Sequence, residues 1–309
     1  MERKVLVLGA LGQIGIDLTQ RLIDDLSAEQ VIASDIRAPY NDPGCTFEQI
    51  DVMDAVALHA AIQKHGITEI YHLAALLSAT AEQRPKFGWD LNMQGLFNAL
   101  ELAKEGHIQK LFWPSSIAVF GPTTPSVDTP QYTIMEPTTV YGISKLAGER
   151  WCEYYHRRYG VDVRGVRYPG LISYKGQPGG GTTDYAVEIF HEAKKNNAYN
   201  CFLSEETRLP MMFMEDAIDA TTGIMEADPD SVKIRSSYNI AGFSFTPSEL
   251  AEEIKRVLPD FKLNCEPDFR QQIADTWPDS INDDNARKDW GWDPKTDLGT
   301  MVDIMLEKV

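Results

Sequence analysis

The sequence predicts an α/β protein built on a doubly wound parallel sheet, with a smaller C-terminal α/β region, and three observations carry that prediction. An apolar run, Val5-Leu6-Val7-Leu8, turns through spaced glycines into an amphipathic stretch, Asp17-Leu18-Thr19-Gln20-Arg21-Leu22-Ile23. Strand-like and helix-like segments then alternate, the order that a parallel sheet with crossover helices requires. Polar residues follow the ends of the strand-like runs, where open α/β sheets bind ligands.

Composition narrows the function. With 309 residues and 43% hydrophobic content the chain can bury a substantial core. A formal net charge of −17 with no Lys/Arg cluster argues against nucleic acid or an anionic membrane as partner. No apolar run reaches the roughly 18 residues of a membrane span, and the N-terminus enters a strand directly, so a cytoplasmic location is expected. Cys45, Cys152, Cys201 and Cys265 are far apart, with no metal-type spacing to one another or to the scattered histidines; they are expected to be reduced, and no metal site is expected.

In chain order, Gly9 permits a tight turn after the first strand. Gly12 lets backbone N–H groups approach a pyrophosphate at a helix N-terminus, and Gly15 allows the helix to pack closely on the strand. The spacing is G-x-x-G-x-x-G instead of the commoner G-x-G-x-x-G. Val31-Ile32-Ala33-Ser34 ends at Asp35, twenty residues beyond Gly15, where a carboxylate would bond the adenosine ribose hydroxyls and repel a 2′-phosphate, favouring NAD over NADP. Arg37 is the one feature nearby that could accommodate that phosphate. Thr46 to Ile50 reads as a strand, Asp54 to Lys64 as a helix, and Glu69 to His72 as a strand ending in Ala74 and Ala75, small enough for a cofactor to cross. Ser78 just beyond could face a substrate; Asn92, in a helix over Lys86 to Glu105, could equally be a buried amide joining neighbouring turns.

Lys110 to Trp113 is the next strand, followed by Ser115 and Ser116. Ser116 could bond a substrate oxygen, although serines after a strand are also ordinary turn formers. Twenty-five residues after Ser116, Tyr141 and Lys145 fall four apart on one helical face. A phenol titrates near ~10 and is a poor base, but a fixed ammonium beside it and a cationic cofactor above it favour the phenolate.

Gly9-x-x-Gly12-x-x-Gly15, Asp35, Ser115-Ser116 and Tyr141-x-x-x-Lys145 together resemble the extended short-chain dehydrogenase/reductases over essentially the whole chain. Arg167 to Ser173 and Gly179-Gly180-Gly181-Thr182-Thr183-Asp184-Tyr185-Ala186 are most similar to the epimerase-like L-threonine 3-dehydrogenases of that family. On its residues alone this second stretch is a glycine loop with Thr182, Thr183 or Asp184 capping a helix, a suitable seat for a small carboxylate but also an ordinary cap.

The resemblance implies a Rossmann-type NAD domain over 1–170, with later segments returning to it, and a mostly substrate-binding region over 171–309. It implies NAD-dependent oxidation of the β-hydroxyl of L-threonine to 2-amino-3-oxobutyrate, with Tyr141 as base, Lys145 holding the cofactor ribose and lowering the tyrosine pKa, and Ser116 positioning the oxygen. Cofactor contacts are expected from Gly9, Leu11, Gly12, Gln13, Ile14, Gly15, Asp35, Asp51, Val52, Leu73, Ala74, Ala75, Asn92, Tyr141, Lys145 and Tyr168. Substrate contacts are expected from Ser78, Ser116, Tyr141, Thr182, Thr183 and Asp184, with Trp277 covering the amino acid or simply packing.

A homodimer through the helices around 86–105 and 140–158 is also implied by the resemblance. The rivals are a nucleotide-sugar epimerase or dehydratase on the same fold and a non-catalytic NAD sensor, the latter having little use for Ser116, Tyr141 and Lys145 together. Farther on, Thr246, Pro247 and Glu249 spell a capping box, and Pro122 to Pro137 and Gly176 to Gly181 look like linkers.

Overall fold

Four consecutive apolar residues, Val5–Leu8, form β1, and all are buried, as a strand covered on both faces requires. In the computed structural model, which describes residues 2–176 and 179–309, β1 lies inside a parallel sheet. The chain continues through α1 (Gln13–Asp25), β2 (Val31–Asp35), β3 (Thr46–Gln49), α2 (Ala55–His65) and β4 (Glu69–His72). It goes on through α3 (Ser78–Gln83), α4 (Pro85–Lys104), β5 (Lys110–Phe112), β6 (Ser115–Ser116), α5 (Val140–Tyr159) and β7 (Asp162–Arg164). The strands pair in the order β3-β2-β1-β4-β5-β7, every pairing parallel. The order reverses between β1 and β4, and that reversal opens a crevice at their carboxyl ends.

Alternation along β1 divides the core. Leu6 and Leu8 pack with Ile70, Leu96 and Leu111 beneath α2, α4 and α5, whereas Val5 and Val7 pack with Leu18 of α1 on the other face. Local chemistry sets the helix ends. The Asp54 carboxylate accepts from the Val56 and Ala57 amides at the start of α2, and α2 and α5 stop at Gly66 and Gly160, both left-handed.

Three short strands follow from the second half of the Rossmann-type region: β8 (Val166–Tyr168), β9 (Gly170–Ile172) and, after α6 (Tyr185–Asn196), β10 (Ala198–Cys201). Then come β11 (Leu209–Phe213), α7 (Met214–Glu226), β12 (Tyr238–Asn239), β13 (Phe243–Phe245), α8 (Pro247–Val257), β14 (Lys262–Cys265), α9 (Phe269–Ala274), α10 (Asp284–Trp290) and α11 (Leu298–Lys308). They make three small sheets, β12-β8-β6, β13-β11-β9 and β10-β14. α8 carries the capping box that Thr246 and Glu249 predict. A separate core of Tyr185, Phe190, Phe213, Phe245 and Leu250 holds this part together, while α7 and Trp292 return to the Val5–Val7 face of the first sheet.

Residues 122–137 are not the linker that their prolines suggest. Thr129 and Gln131 are buried, Thr129 pairs with Ile281 in a β-bridge, and Gln131 Nε2 donates to the Ser237 carbonyl at 2.9 Å. The loop is pinned because its polar side chains find partners in the C-terminal segment. Within the other linker-like stretch, Gln177 and Pro178 lie outside the described residues.

Candidate active site

The crevice is a cleft of about 1040 Å³, open to solvent. Its floor depends on missing side chains. Gly9 has φ +83°, and a Cβ there would stand 2.8 Å from the Ala74 nitrogen; a Cβ on Gly15 would stand 2.2 Å from the Gly9 carbonyl oxygen. Gly12 is the N-cap of α1 and offers no side chain to the helix's first N–H groups. Gly12, Gln13 and Ile14 line the cleft, so those donors and the positive end of the helix suit a dinucleotide pyrophosphate.

Asp35, buried at the end of β2, accepts from the Leu11 amide at 3.3 Å and from the Arg37 amide and Nε at 3.1 and 3.2 Å. A carboxylate has acceptor capacity beyond these for ribose hydroxyls, and its pairing with Arg37 offsets a nearby cation that could have received a 2′-phosphate; Lys175, in the same cavity, is paired with Asp17. The chain's own groups therefore fit NAD.

Gly9, Gly15, Leu73, Ala75 and Tyr168 also line the cleft; the Tyr168 hydroxyl is bonded to Thr221. Leu11, Asp35, Asp51, Val52, Ala74 and Asn92 do not. Leu11 lines a separate cavity with Arg37 and Tyr40. Asp51 caps a turn through the Met53 amide at 2.9 Å, and the Val52 carbonyl receives Asn98 Nδ2 at 2.8 Å. Asn92 braces the strand end against α5: its Oδ1 accepts from the Leu76 amide at 2.8 Å and its Nδ2 donates to Ser144 Oγ at 3.1 Å.

α5 is aimed into the cleft by its N-terminus. Thr139 Oγ1 accepts from the Gly142 amide at 3.0 Å, and Glu82 of α3 accepts from the Val140 amide at 2.6 Å. Close packing fixes the rest, since a Cβ at Gly142 would stand 2.1 Å from the Ala118 carbonyl and one at Gly148 2.3 Å from the Trp113 ring. Tyr141 and Lys145 both line the cleft. Ser116 lines the cleft beside the Tyr141 phenol and its Oγ accepts from the Ala118 amide at 3.2 Å, whereas Ser115 donates to Glu149 at 2.6 Å.

Burial dominates the titration of both groups. It pushes the phenol up to about 12, opposed by the neighbouring Ser116 side chain. Burial also pulls the Lys145 amine down to about 7, opposed by Cys152 and Glu149. The amine donates to the Pro114 carbonyl at 2.5 Å and sits 4.4 Å from the centre of the Trp113 ring, against 5.5 Å for the Tyr141 ring. For both groups burial is the largest cause, and the phenol stands above its ordinary value before a cofactor is added.

Across the cleft, buried Ser78 and Thr182 place their hydroxyls 3.3 Å apart. Thr183, Asp184 and Trp277 line the same wall. Asp184 precedes α6 but does not cap it; its Oδ2 reaches back to the Gly180 and Gly181 amides, both at 2.8 Å. Burial raises its pKa, and those two amides oppose the rise. The amides of Ala186, Val187 and Glu188 are engaged by backbone carbonyls of Thr183 and Asp184, so they are not the free anion donors expected of this helix start.

Sequence reasoning missed Trp113, Glu82 and Glu149. Glu149 had a readable signal, since it continues the Tyr141–Lys145 face by another four residues. Trp113 and Glu82 had none, because each acts through a contact distant in sequence.

Comparison with known proteins agrees with this geometry. The pattern describing the NAD dependent epimerase/dehydratase family matches residues 5–241. An L-threonine dehydrogenase from Cupriavidus necator, in its holo form, is 54% identical over 98% of this chain and 99% of its own, with a TM-score of 0.97. A monomeric L-threonine 3-dehydrogenase from a metagenome is 50% identical over 98% of this chain and 97% of its own, with a TM-score of 0.95. An uncharacterized epimerase/dehydratase of Staphylococcus haemolyticus is 47% identical over 100% of this chain and 98% of its own. The chain belongs to the NAD dependent epimerase/dehydratase family, with NAD as its cofactor.

Proposed function

We propose that this protein oxidises the β-hydroxyl of L-threonine to 2-amino-3-oxobutyrate. The observation that carries the reading is the charge of the cleft. Among the described residues that line it, Lys145 is the single cationic side chain, and it is buried behind Tyr141. A nucleotide-sugar would need cationic groups for its own pyrophosphate, whereas a small zwitterion can be held by Ser78, Thr182 and Thr183. The kinship with L-threonine dehydrogenases at 50–54% identity supports the same substrate.

In this reading Ser116 holds the substrate hydroxyl against Tyr141, which takes its proton, and Lys145 supports the cofactor ribose through donors that Pro114 leaves unused. NAD, when bound, accepts the hydride from the β-carbon and brings positive charge near the phenol, the contribution that the chain's own groups lack. Asp184 shapes the glycine loop without touching the substrate carboxylate, which it would repel. Trp277 covers the amino acid from the C-terminal side. Residues 1–170 serve the cofactor and 171–309 chiefly the substrate, in a cytoplasmic enzyme. Phe87, Trp89, Trp151 and Tyr154, each about two-fifths exposed on α4 and α5, support pairing of two copies through these helices.

Thermal shift in the presence of NAD tests the substrate. L-threonine is expected to raise the unfolding midpoint and UDP-sugars to leave it unchanged; the reverse result would move the protein to the nucleotide-sugar branch of its family.

A further inference from the structure

β6 has only two residues, and the pleat sends their side chains to opposite faces. Ser116 works in the cleft, while Ser115 is buried with its hydroxyl on Glu149 Oε1. Beside it runs β8, with Arg167 opposite Ser115 and Tyr168 opposite Ser116. One face of this strand pair therefore meets α5 and the other meets the ligands.

Glu149 and Arg167 are almost completely buried and joined by two prongs, Nε to Oε1 and Nη2 to Oε2, each 2.8 Å. Arg167 Nη1 donates to the Gln131 carbonyl at 3.0 Å and to Asn239 Oδ1 at 2.9 Å. Asn239 Nδ2 in turn donates to the carbonyls of Thr129 and Asn282, each at 3.1 Å. One carboxylate on the helix of Tyr141 and Lys145 is thereby tied to both strands and, through Asn239, to the pinned loop.

A buried ion pair is a poor source of stability, because removing two charges from water costs several kcal/mol per ion and apolar replacements often fold as well. What such a pair does supply is a fixed distance and angle. Glu149 lies one turn beyond Lys145 and two beyond Tyr141, so its hold on Ser115 sets how β6 stands against α5.

We propose that Ser115, clamped by the Glu149–Arg167 pair, is a positioning residue that aims the Ser116 hydroxyl at Tyr141. This rests on the reading above, in which Ser116 and Tyr141 handle the substrate hydroxyl. Ser115 also borders the cleft, but its hydroxyl is committed to Glu149, so it acts through its neighbour.

Glu149→Gln would leave Arg167 buried without a counter-charge and risks the fold itself. Ser115→Ala removes one hydrogen bond and leaves the ion pair whole. With L-threonine and NAD, it is expected to lower kcat about 10- to 100-fold, as slight misplacement of a reacting group does, and Ser115→Thr to recover most of the loss. KM for threonine and the affinity for NAD should change much less than kcat, because Ser78, Thr182, Thr183 and the glycine turn are untouched. A crystal structure of Ser115→Ala is expected to show the Ser116 hydroxyl displaced away from Tyr141 relative to the wild-type protein. A folded Ser115→Ala protein with undiminished kcat, or with Ser116 unmoved, overturns the proposal. If the wild-type protein does not oxidise threonine, the substrate reading fails instead, and the position of Ser116 in the variant still decides the role of Ser115.

Discussion

The two walls of the cleft are built from different material. The wall that receives the cofactor and the reacting proton is made of backbone and buried charge: Gly9, Gly15, Gly142 and Gly148 allow approaches that no Cβ would permit, and Lys145 and Glu149 are sealed behind Tyr141. The opposite wall hangs on a few side-chain contacts, the Ser78–Thr182 pair and the Asp184 bonds to Gly180 and Gly181. The first arrangement tolerates little movement and fixes the chemistry. The second can be rebuilt by changing a few residues, which suits a family whose members take different substrates on one fold.

Substitutions should separate the walls. The largest effect is expected from Tyr141→Phe, which should lower kcat about 10³-fold, roughly 4 kcal/mol, with NAD affinity nearly unchanged; near-normal turnover would remove Tyr141 as the base. Lys145→Met comes next, and its effect on stability has a definite sign. The folded amine titrates near 7 and its ordinary value is 10.5, so between these limits the unfolded chain binds more protons and wild-type stability rises with pH. The burial penalty is present in full below that window. Lys145→Met should therefore abolish turnover yet stabilise the protein at pH 6 by about 1–3 kcal/mol, allowing for the lost bond to Pro114, with the gain fading toward pH 10. Denaturant unfolding at the two pH values measures it, and a gain independent of pH would contradict the assignment.

Gly12→Ala should be milder. Its Cβ would meet only the Gly9 carbonyl, at 3.3 Å, so the fold should survive while NAD binds about tenfold more weakly, measured by calorimetry. On the other wall, Asp184→Asn can set a neutral oxygen where Oδ2 accepts both glycine amides and should raise KM for threonine only about threefold to tenfold, with kcat close to wild type. A collapse of kcat here would mean that the two walls are not separable.

Much of the first wall was legible in the sequence because it obeys local rules. Strand, glycine turn and helix follow one another at Val5 to Ile23, and Tyr141 and Lys145 share a face by helical spacing alone. The parallel sheet and its topological reversal followed from the alternation of elements. What escaped is non-local. That Ser115 turns inward and Ser116 outward depends on a strand partner, β8, reached only after α5. The pKa of Tyr141 depends on burial that no spacing reveals. At the start of α6, Asp184 turns back toward its own loop, a contact that its sequence position does not disclose.

The most direct test of the whole account is nicotinamide reduction by the purified protein with NAD and L-threonine. The account predicts NADH formed in step with 2-amino-3-oxobutyrate, lost in Tyr141→Phe. An absence of NADH across a wide pH range, from protein that binds NAD tightly, would contradict it.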